Sequence, residues 1–407
     1  MLKRLLGAQW VAIGFVGAIS FLLSVAIARR FGPEAYGVYA QAVSLGAFLV
    51  ILIDGGFGKL LMRETVRESS ALIGHGKDLH AFAFGHAFLV MAILALLVVL
   101  NPLPLHWPTL LAAVGAFGVT VLGQFSLAIL RGRGRLMRDA LWQMLGRVLT
   151  AICMALALYW GASAPWEVLG AQFLGGLVFV LFLMRRGWIM PIFRVPRQIY
   201  ATLVPLIWVD LATVVYFRSD MLLFKFVDVA KADVGAYGVA FRLIEAFLLL
   251  ASPVSLLLFR RFRQNEAVMG PQALLNVARI AAAASGLGLA IFLVSLPMSD
   301  VFFRLVFGEG FALAGGLFKV LCLMLVFALA NGVLGQAVFA LGLDGHYART
   351  ATAAAFFNVV GNLLLMPAYG VWAAAWMTVA TEVVLATGLL VTLFGAWSTR
   401  GHGESAG

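Results

Sequence analysis

The sequence predicts an all-α polytopic membrane protein of about twelve transmembrane helices, built as two related halves, and three observations carry that expectation. Of 407 residues, 63% are hydrophobic and only 12% are charged, with a mean hydropathy of +1.01. A soluble domain of this size would expose far more apolar surface than water tolerates. Crossing ~30 Å of hydrocarbon takes about 20 helical residues, and apolar runs of that length recur along the whole chain. Short phrases also recur about half the chain apart. Ala35-Tyr36-Gly37-Val38 returns as Ala236-Tyr237-Gly238-Val239, and Val121-Leu122-Gly123-Gln124 returns as Val333-Leu334-Gly335-Gln336. Each falls at the corresponding point of its half, one entering the second span and one near the end of the fourth. Repeated halves are a common plan among polytopic membrane proteins.

The first span, 5–28, follows Lys3-Arg4 and ends in Ala26-Ile27-Ala28, the outline of a signal peptide. Its apolar run is too long for a signal core and eleven more spans follow, so it reads as a retained helix. Span two, 37–57, opens on the first repeat phrase; spans three and four, 81–100 and 109–130, lead to the second. Spans five and six are 140–160 and 166–184. The second half repeats the series at 203–224, 235–259, 274–298, 316–341, 350–366 and 370–395. The halves are then 1–200 and 201–397, with 398–407 as a short polar tail.

Basic residues set the orientation. With the N-terminus inside, the cytoplasmic connections hold 19 Lys and Arg, among them Arg131, Arg133, Arg135 and Arg138, against 5 on the outer side: Arg29, Arg30, Lys225, Lys231 and Arg304. That bias places both termini in the cytoplasm. It also accounts for the formal net charge of +11 through membrane topology and anionic lipid rather than nucleic acid. The cluster Arg131-Gly132-Arg133-Gly134-Arg135 lacks the pattern of a phosphate loop and the interleaved aromatics of an RNA-binding arm. His75, His80 and His86 have no acidic or cysteine partner at metal-binding spacing, and no metal or cofactor is expected. Cys153 and Cys322 both lie in spans, which argues against a disulfide framework. Loops are short on both faces, and the outer ones offer only Glu34, Glu167, Asp228, Asp233 and Glu309. No nucleophile with its base and no catalytic carboxylate pair is present, so a membrane-embedded polysaccharide polymerase or ligase ranks low and a non-enzymatic transport role is favoured.

Charges inside the spans are costly in hydrocarbon and are functional candidates by default. The basic ones are Arg147, Arg218, Arg242, Arg279 and Lys319; the acidic ones are Asp54, Asp210, Asp220, Glu245 and Glu382. Arg279 and Lys319 lie near span ends, where snorkelling is an equal alternative. In span seven Asp210, Thr213, Phe217 and Asp220 share a broad face, with Arg218 about 80° round from Asp210. In span eight Arg242 and Glu245 stack at i, i+3. Antiparallel spans seven and eight bring Arg218 and Arg242 to similar depth, roughly 10 Å inside the outer boundary. Two guanidiniums at a shared cavity would form a fork for phosphate or pyrophosphate. The alternative is structural: Arg218 paired with Asp220 or Asp210, and Arg242 with Glu245, holding the bundle.

Several phrases resemble a known family. Arg30-Phe31-Gly32-Pro33-Glu34-Ala35-Tyr36-Gly37-Val38-Tyr39-Ala40, then Asp54-Gly55-Gly56-Phe57-Gly58 and Arg63-Glu64, are similar to the opening of polysaccharide and O-antigen flippases. These belong to the multidrug, oligosaccharidyl-lipid and polysaccharide exporter superfamily. Pro205 and Arg218-Ser219-Asp220, followed by Ala236-Tyr237-Gly238, and Phe307-Gly308-Glu309-Gly310-Phe311 extend the likeness over essentially the whole chain.

The resemblance implies two six-helix lobes around a central cavity that opens alternately to each side of a bacterial cytoplasmic (inner) membrane. Its cargo would be an oligosaccharide on a polyprenyl diphosphate, moved to the outer leaflet for lipopolysaccharide, O-antigen or exopolysaccharide assembly. The lipid tail can stay in the bilayer while the diphosphate and sugars need a shielded polar path. By position Arg218 and Arg242 are the first choices to hold the diphosphate, with Arg29, Arg30, Arg147 and Lys319 behind them. No nucleotide-binding motif exists, so the energy would come from an ion gradient. In relatives the cation site implicates helices seven, eleven and twelve; here Asp210, Asn358, Asn362, Thr378, Thr381 and Glu382 fall there. Oxygen ligands suit sodium, and a buried Glu382 or Asp210 suits a proton. Asn358 and Asn362 serve equally well as interhelical hydrogen-bonding residues. A cationic-drug exporter of the same superfamily remains the alternative, resting on Asp210, Asp220, Glu245 and Glu382. With twelve spans, the additional C-terminal helices of some superfamily members are missing. No visible feature supports docking to polysaccharide synthesis machinery.

Overall fold

The computed structural model describes residues 2–66, 76–100, 106–184, 190–264 and 271–403. His75, Arg67, Arg185 and Arg186 lie outside them. Every regular element among the described residues is helical, as hydrocarbon demands of backbone groups that must satisfy one another within a segment.

Helix α1 (Leu2–Asp54) carries the first two expected spans in one element. Its apolar part, Trp10–Asp54, is 45 residues long, or ~68 Å at 1.5 Å per residue, about twice a hydrocarbon core. The division falls at Gly32, with φ 74° and ψ 177°, followed by Pro33. That backbone conformation is accessible essentially to glycine alone. A two-glycine turn, Gly55-Gly56, with positive φ at both, then leads into the short α2 (Phe57–Val66), a helix the sequence left as loop.

The remaining helices are α3 (Gly76–Leu100), α4 (Trp107–Gly132), α5 (Leu136–Tyr159), α6 (Pro165–Met184), α7 (Arg197–Leu223), α8 (Lys231–Gln264), α9 (Pro271–Phe307), α10 (Ala312–Ala340), α11 (Asp344–Tyr369) and α12 (Val371–Gly403). A 3-10 turn, Glu309–Phe311, precedes α10. Ten helices among the described residues are long and apolar enough to span, and α7, bent by 42° at Trp208–Asp210, makes eleven. With α1 counted as two spans the total is twelve. α12 continues to Gly403, so the stretch read as a polar tail is helical as far as it is described.

The chain packs as two compact units, Met1–Val214 and Val215–Gly407. The division lies inside α7, whereas the sequence placed it in the preceding connection. The first turns of α7 belong to the first unit because Leu203 and Ile207 approach Gly56, where a Cβ would lie 3.3 and 3.4 Å from their side chains. Before α7, the extended segment 190–196 crosses α3: the Ile192 amide donates to the Ala81 carbonyl at 3.0 Å. Gly85 makes that crossing possible, since a Cβ there would sit 2.1 Å from the Ile192 oxygen.

Each unit has one central helix. In the first, α4 packs on α1, α2, α3 and α6, and α6 on α5; in the second, α10 packs on α8, α9, α11 and α12, and α12 on α11. The repeat phrases occupy these equivalent places. Val121 and Leu122 are buried in α4, as Val333 and Leu334 are in α10. Gly123 and Gly335 each admit an aromatic ring, Phe179 and Tyr347 respectively, 3.2 Å from the position a Cβ would take. The repeat tyrosines are buried too. Tyr36 shares a 2.5 Å hydrogen bond with Ser24, and Tyr237 donates to Asp220. In both units the second span therefore reaches back to a polar group on the first.

Candidate functional site

Three polar groups lie inside the second unit, each built from residues on different helices. The first joins α7 to α8. Arg218 extends from α7 to one oxygen of Glu245, and Arg242, one turn before Glu245 on α8, reaches the other oxygen at 3.1 Å. The i, i+3 spacing stacks Arg242 on Glu245, and Phe241 supports Arg218 with its ring centroid 5.6 Å from the guanidinium carbon. The side chains of Arg218, Arg242 and Glu245 are 18%, 30% and 17% exposed. Two cations thus converge on one carboxylate at a partly accessible point, and Asp220 lies near enough to Arg218 to interact with its charge. Of the pairings considered from sequence, Arg242 with Glu245 is present, and Glu245 also engages Arg218 by hydrogen bond.

The second group is fully buried and joins α7, α8, α11 and α12. Ser219 donates to Asn358 Oδ1 at 3.2 Å, and Asn362, one turn along α11, donates to the same oxygen at 3.0 Å. The Asn358 amide donates to Thr381 of α12 at 2.9 Å, whose own hydroxyl donates to the Met377 carbonyl at 2.7 Å. Next to Ser219, Asp220 accepts from its neighbour Met221 at 2.7 Å and from Tyr237 of α8. Thr378 of α12 lies beside Tyr237, its hydroxyl donating to the Ala374 carbonyl at 2.8 Å. Asn362 Oδ1 is buried with no hydrogen-bond partner, a costly state inside a protein. The group therefore assembles seven oxygen-bearing side chains, one of which keeps an unused acceptor.

The third group joins α10 to α12. Asn331 donates to the Glu382 backbone carbonyl at 2.8 Å and to its carboxyl Oε2 at 2.7 Å. Both side chains are buried, and Asn331 Oδ1 is a second buried acceptor without a partner.

The other sequence candidates are placed elsewhere. Lys319 of α10 is held by Asp300 of α9 at 2.5 Å. Arg29 and Arg30 are exposed beside the Gly32 break, and Arg147 is half-buried in α5, all three in the first unit. Asp210 also falls in the first unit, where Lys59 pairs with it at 2.6 Å. Among the candidates for an ion site, Asn358, Asn362 and Thr378 belong to the second group and Glu382 to the third. Sequence reasoning missed Asn331, Ser219 and Tyr237. A lone amide in the apolar run of α10 and the tyrosine of the repeat phrase were the available signals. Among the described residues no cluster of His, Cys, Asp and Glu could hold a metal ion.

The fold is that of known membrane transporters. The chain is similar to a structure of the lipid II flippase MurJ in an inward closed conformation, with a TM-score of 0.77 and 15% identity over 95% of this chain and 87% of that one. It is similar to an inward-facing multidrug resistance MATE family transporter of the MOP superfamily, with a TM-score of 0.69 and 15% identity over 94% and 95% of the two chains. A MOP superfamily transporter from Pyrococcus furiosus Vc1 gives a TM-score of 0.60 and 13% identity over 98% and 95%. No curated protein sequence matches the chain. The family model for polysaccharide biosynthesis proteins matches residues 7–259, more than half of the chain, and this multi-pass membrane protein belongs to that family.

Proposed function

We propose that the protein is a flippase that moves polyprenyl-diphosphate-linked oligosaccharide from the cytoplasmic to the outer leaflet of a bacterial inner membrane. The observation that carries the reading is the convergence of Arg218 and Arg242 on one carboxylate inside the membrane. Glu245 gives each guanidinium one oxygen; a diphosphate could offer each a pair of oxygens and so take over both forks. Membership of the polysaccharide biosynthesis family and the flippase-like fold support the same cargo class.

A drug-exporter reading needs carboxylates free to meet a cation. Glu245 is engaged by two arginines, and Asp220 is buried under Tyr237, which favours an anionic cargo. Coupling to an ion gradient is part of the proposal. The Ser219, Asn358, Asn362 and Thr381 group has neutral oxygens suited to sodium, with the acceptor of Asn362 in reserve.

Binding of an undecaprenyl diphosphate to the purified protein tests the cargo directly. Arg218→Ala with Arg242→Ala is expected to weaken binding at least tenfold, about 1.4 kcal/mol or more, and inorganic pyrophosphate should compete with the lipid on wild type. Equal binding by wild type and the double variant would count against the site.

A further inference from the structure

We propose that Glu382 and Asn331 form a proton-binding site in the core of the second unit, separate from the arginine pair and from the asparagine-hydroxyl group. The inference rests on the ion-coupled reading only for its consequence for transport; the site itself stands on hydrogen-bond accounting.

Glu382 lies on α12, 2% exposed, and Asn331 lies on α10, 6% exposed. The Asn331 amide spends its two N–H donors on the Glu382 backbone carbonyl and on carboxyl Oε2. Its oxygen, Oδ1, is buried without a donor. This amide is the hydrogen-bond partner of the carboxyl, and two phenols, Tyr216 of α7 and Tyr347 of α11, lie near enough to interact with its charge. No Lys, Arg or His among the described residues pairs with it. The surroundings are otherwise apolar: Val333, Leu334, Ala355 and Leu385 are buried in the core that contains Tyr216 and packs against Tyr347.

An ionised carboxylate at this place would be a buried charge with a single amide donor and no cation, beside an amide oxygen that also lacks a donor. Both defects have the same remedy, one additional hydrogen. A proton on the carboxyl removes the charge and gives the pair an O–H donor for the acceptor left over on Asn331. A carboxylic acid and a primary amide are complementary in this sense, each offering one donor and one acceptor. Sodium fits less well, because it needs several oxygens and the pair has only the carboxyl and one amide oxygen to give. In ion-coupled transport the site would load and release a proton as α10 and α12 change their surroundings.

Infrared difference spectroscopy of the purified full-length protein in lipid, wild type minus Glu382→Gln, tests the assignment without any lipid-linked sugar. The expected result at neutral pH is a protonated-carboxyl carbonyl band in wild type that is lost in Glu382→Gln and shifts down in deuterium oxide. In Asn331→Leu the band should persist at a higher frequency, because the N–H that Asn331 donates to the carboxyl oxygen is gone. Three results would overturn the proposal: only carboxylate absorption in the difference spectrum at neutral pH, an acid band that survives unchanged in Glu382→Gln, or conversion of the acid band to carboxylate when sodium is added. A failed flippase reading would appear in diphosphate binding and leave these spectra untouched.

Discussion

Arg218 and Arg242 show how little separates a structural staple from a binding site. If the pair only pins α7 to α8, Glu245→Gln breaks an ion pair that is buried for the most part, and both stability and transport fall. If the pair holds cargo, Arg242→Lys keeps the charge but loses the planar fork; transport is then expected to drop at least tenfold while the thermal unfolding midpoint stays near wild type. Sodium provides a second residue-scale test. Saturating sodium should raise the unfolding midpoint of wild type, by an amount worth about 2.7 kcal/mol at a hundred times its dissociation constant, and should leave Asn362→Leu unchanged. An identical response in both would reduce the asparagine-hydroxyl group to interhelical hydrogen bonding. The contacts legible in the sequence were those that helical periodicity sets: Arg242 over Glu245, and Asn362 one turn beyond Asn358. Partners far apart in sequence were not legible. Lys59 meets Asp210 across 151 positions and Asn331 meets Glu382 across 51, and no local rule ranks such pairings.

At the scale of elements, glycines decide where helices break and how closely they pack. The chain crosses the membrane twice within α1 because Gly32 adopts φ 74° and ψ 177°. Gly32→Ala should cost about 1–3 kcal/mol, read as a lowered unfolding midpoint, whereas Gly7→Ala, with open space around its Cβ position, should cost little. On the seam between α9 and α10, a Cβ at Gly288 would lie 2.5 Å from the Leu325 carbonyl oxygen. Gly288→Leu is therefore expected to prise the two helices apart and destabilise by about 1–3 kcal/mol. Hydropathy made the spans visible but not these devices. The merger of two spans into α1, the short α2 and the 42° bend in α7 depend on backbone dihedrals and on contacts with other helices, to which a sliding apolar window is blind.

For the whole molecule, the recurring phrases mark similarly buried places in two units, each arranged about a central helix. In the first unit Tyr36 shares a hydrogen bond with a serine hydroxyl, and in the second Tyr237 donates to a carboxylate. From the charge bias both termini are expected on the cytoplasmic side, and labelling can check it. In a background with Cys153 and Cys322 replaced by alanine, Ser163→Cys, between α5 and α6, should react with an impermeant maleimide added to intact cells. Arg133→Cys, between α4 and α5, should react only after the membrane is opened; the reverse pattern would invert the topology.

The most direct test of the flippase reading is the leaflet distribution of polyprenyl-diphosphate-linked oligosaccharide in cells lacking the protein, complemented with wild type or with Arg218→Ala and Arg242→Ala together. The expected result is accumulation on the cytoplasmic face that wild type clears and the double variant, expressed and folded, does not. Unchanged lipid-linked sugar in cells without the protein, together with increased sensitivity to cationic compounds, would contradict the account and make the protein a drug exporter.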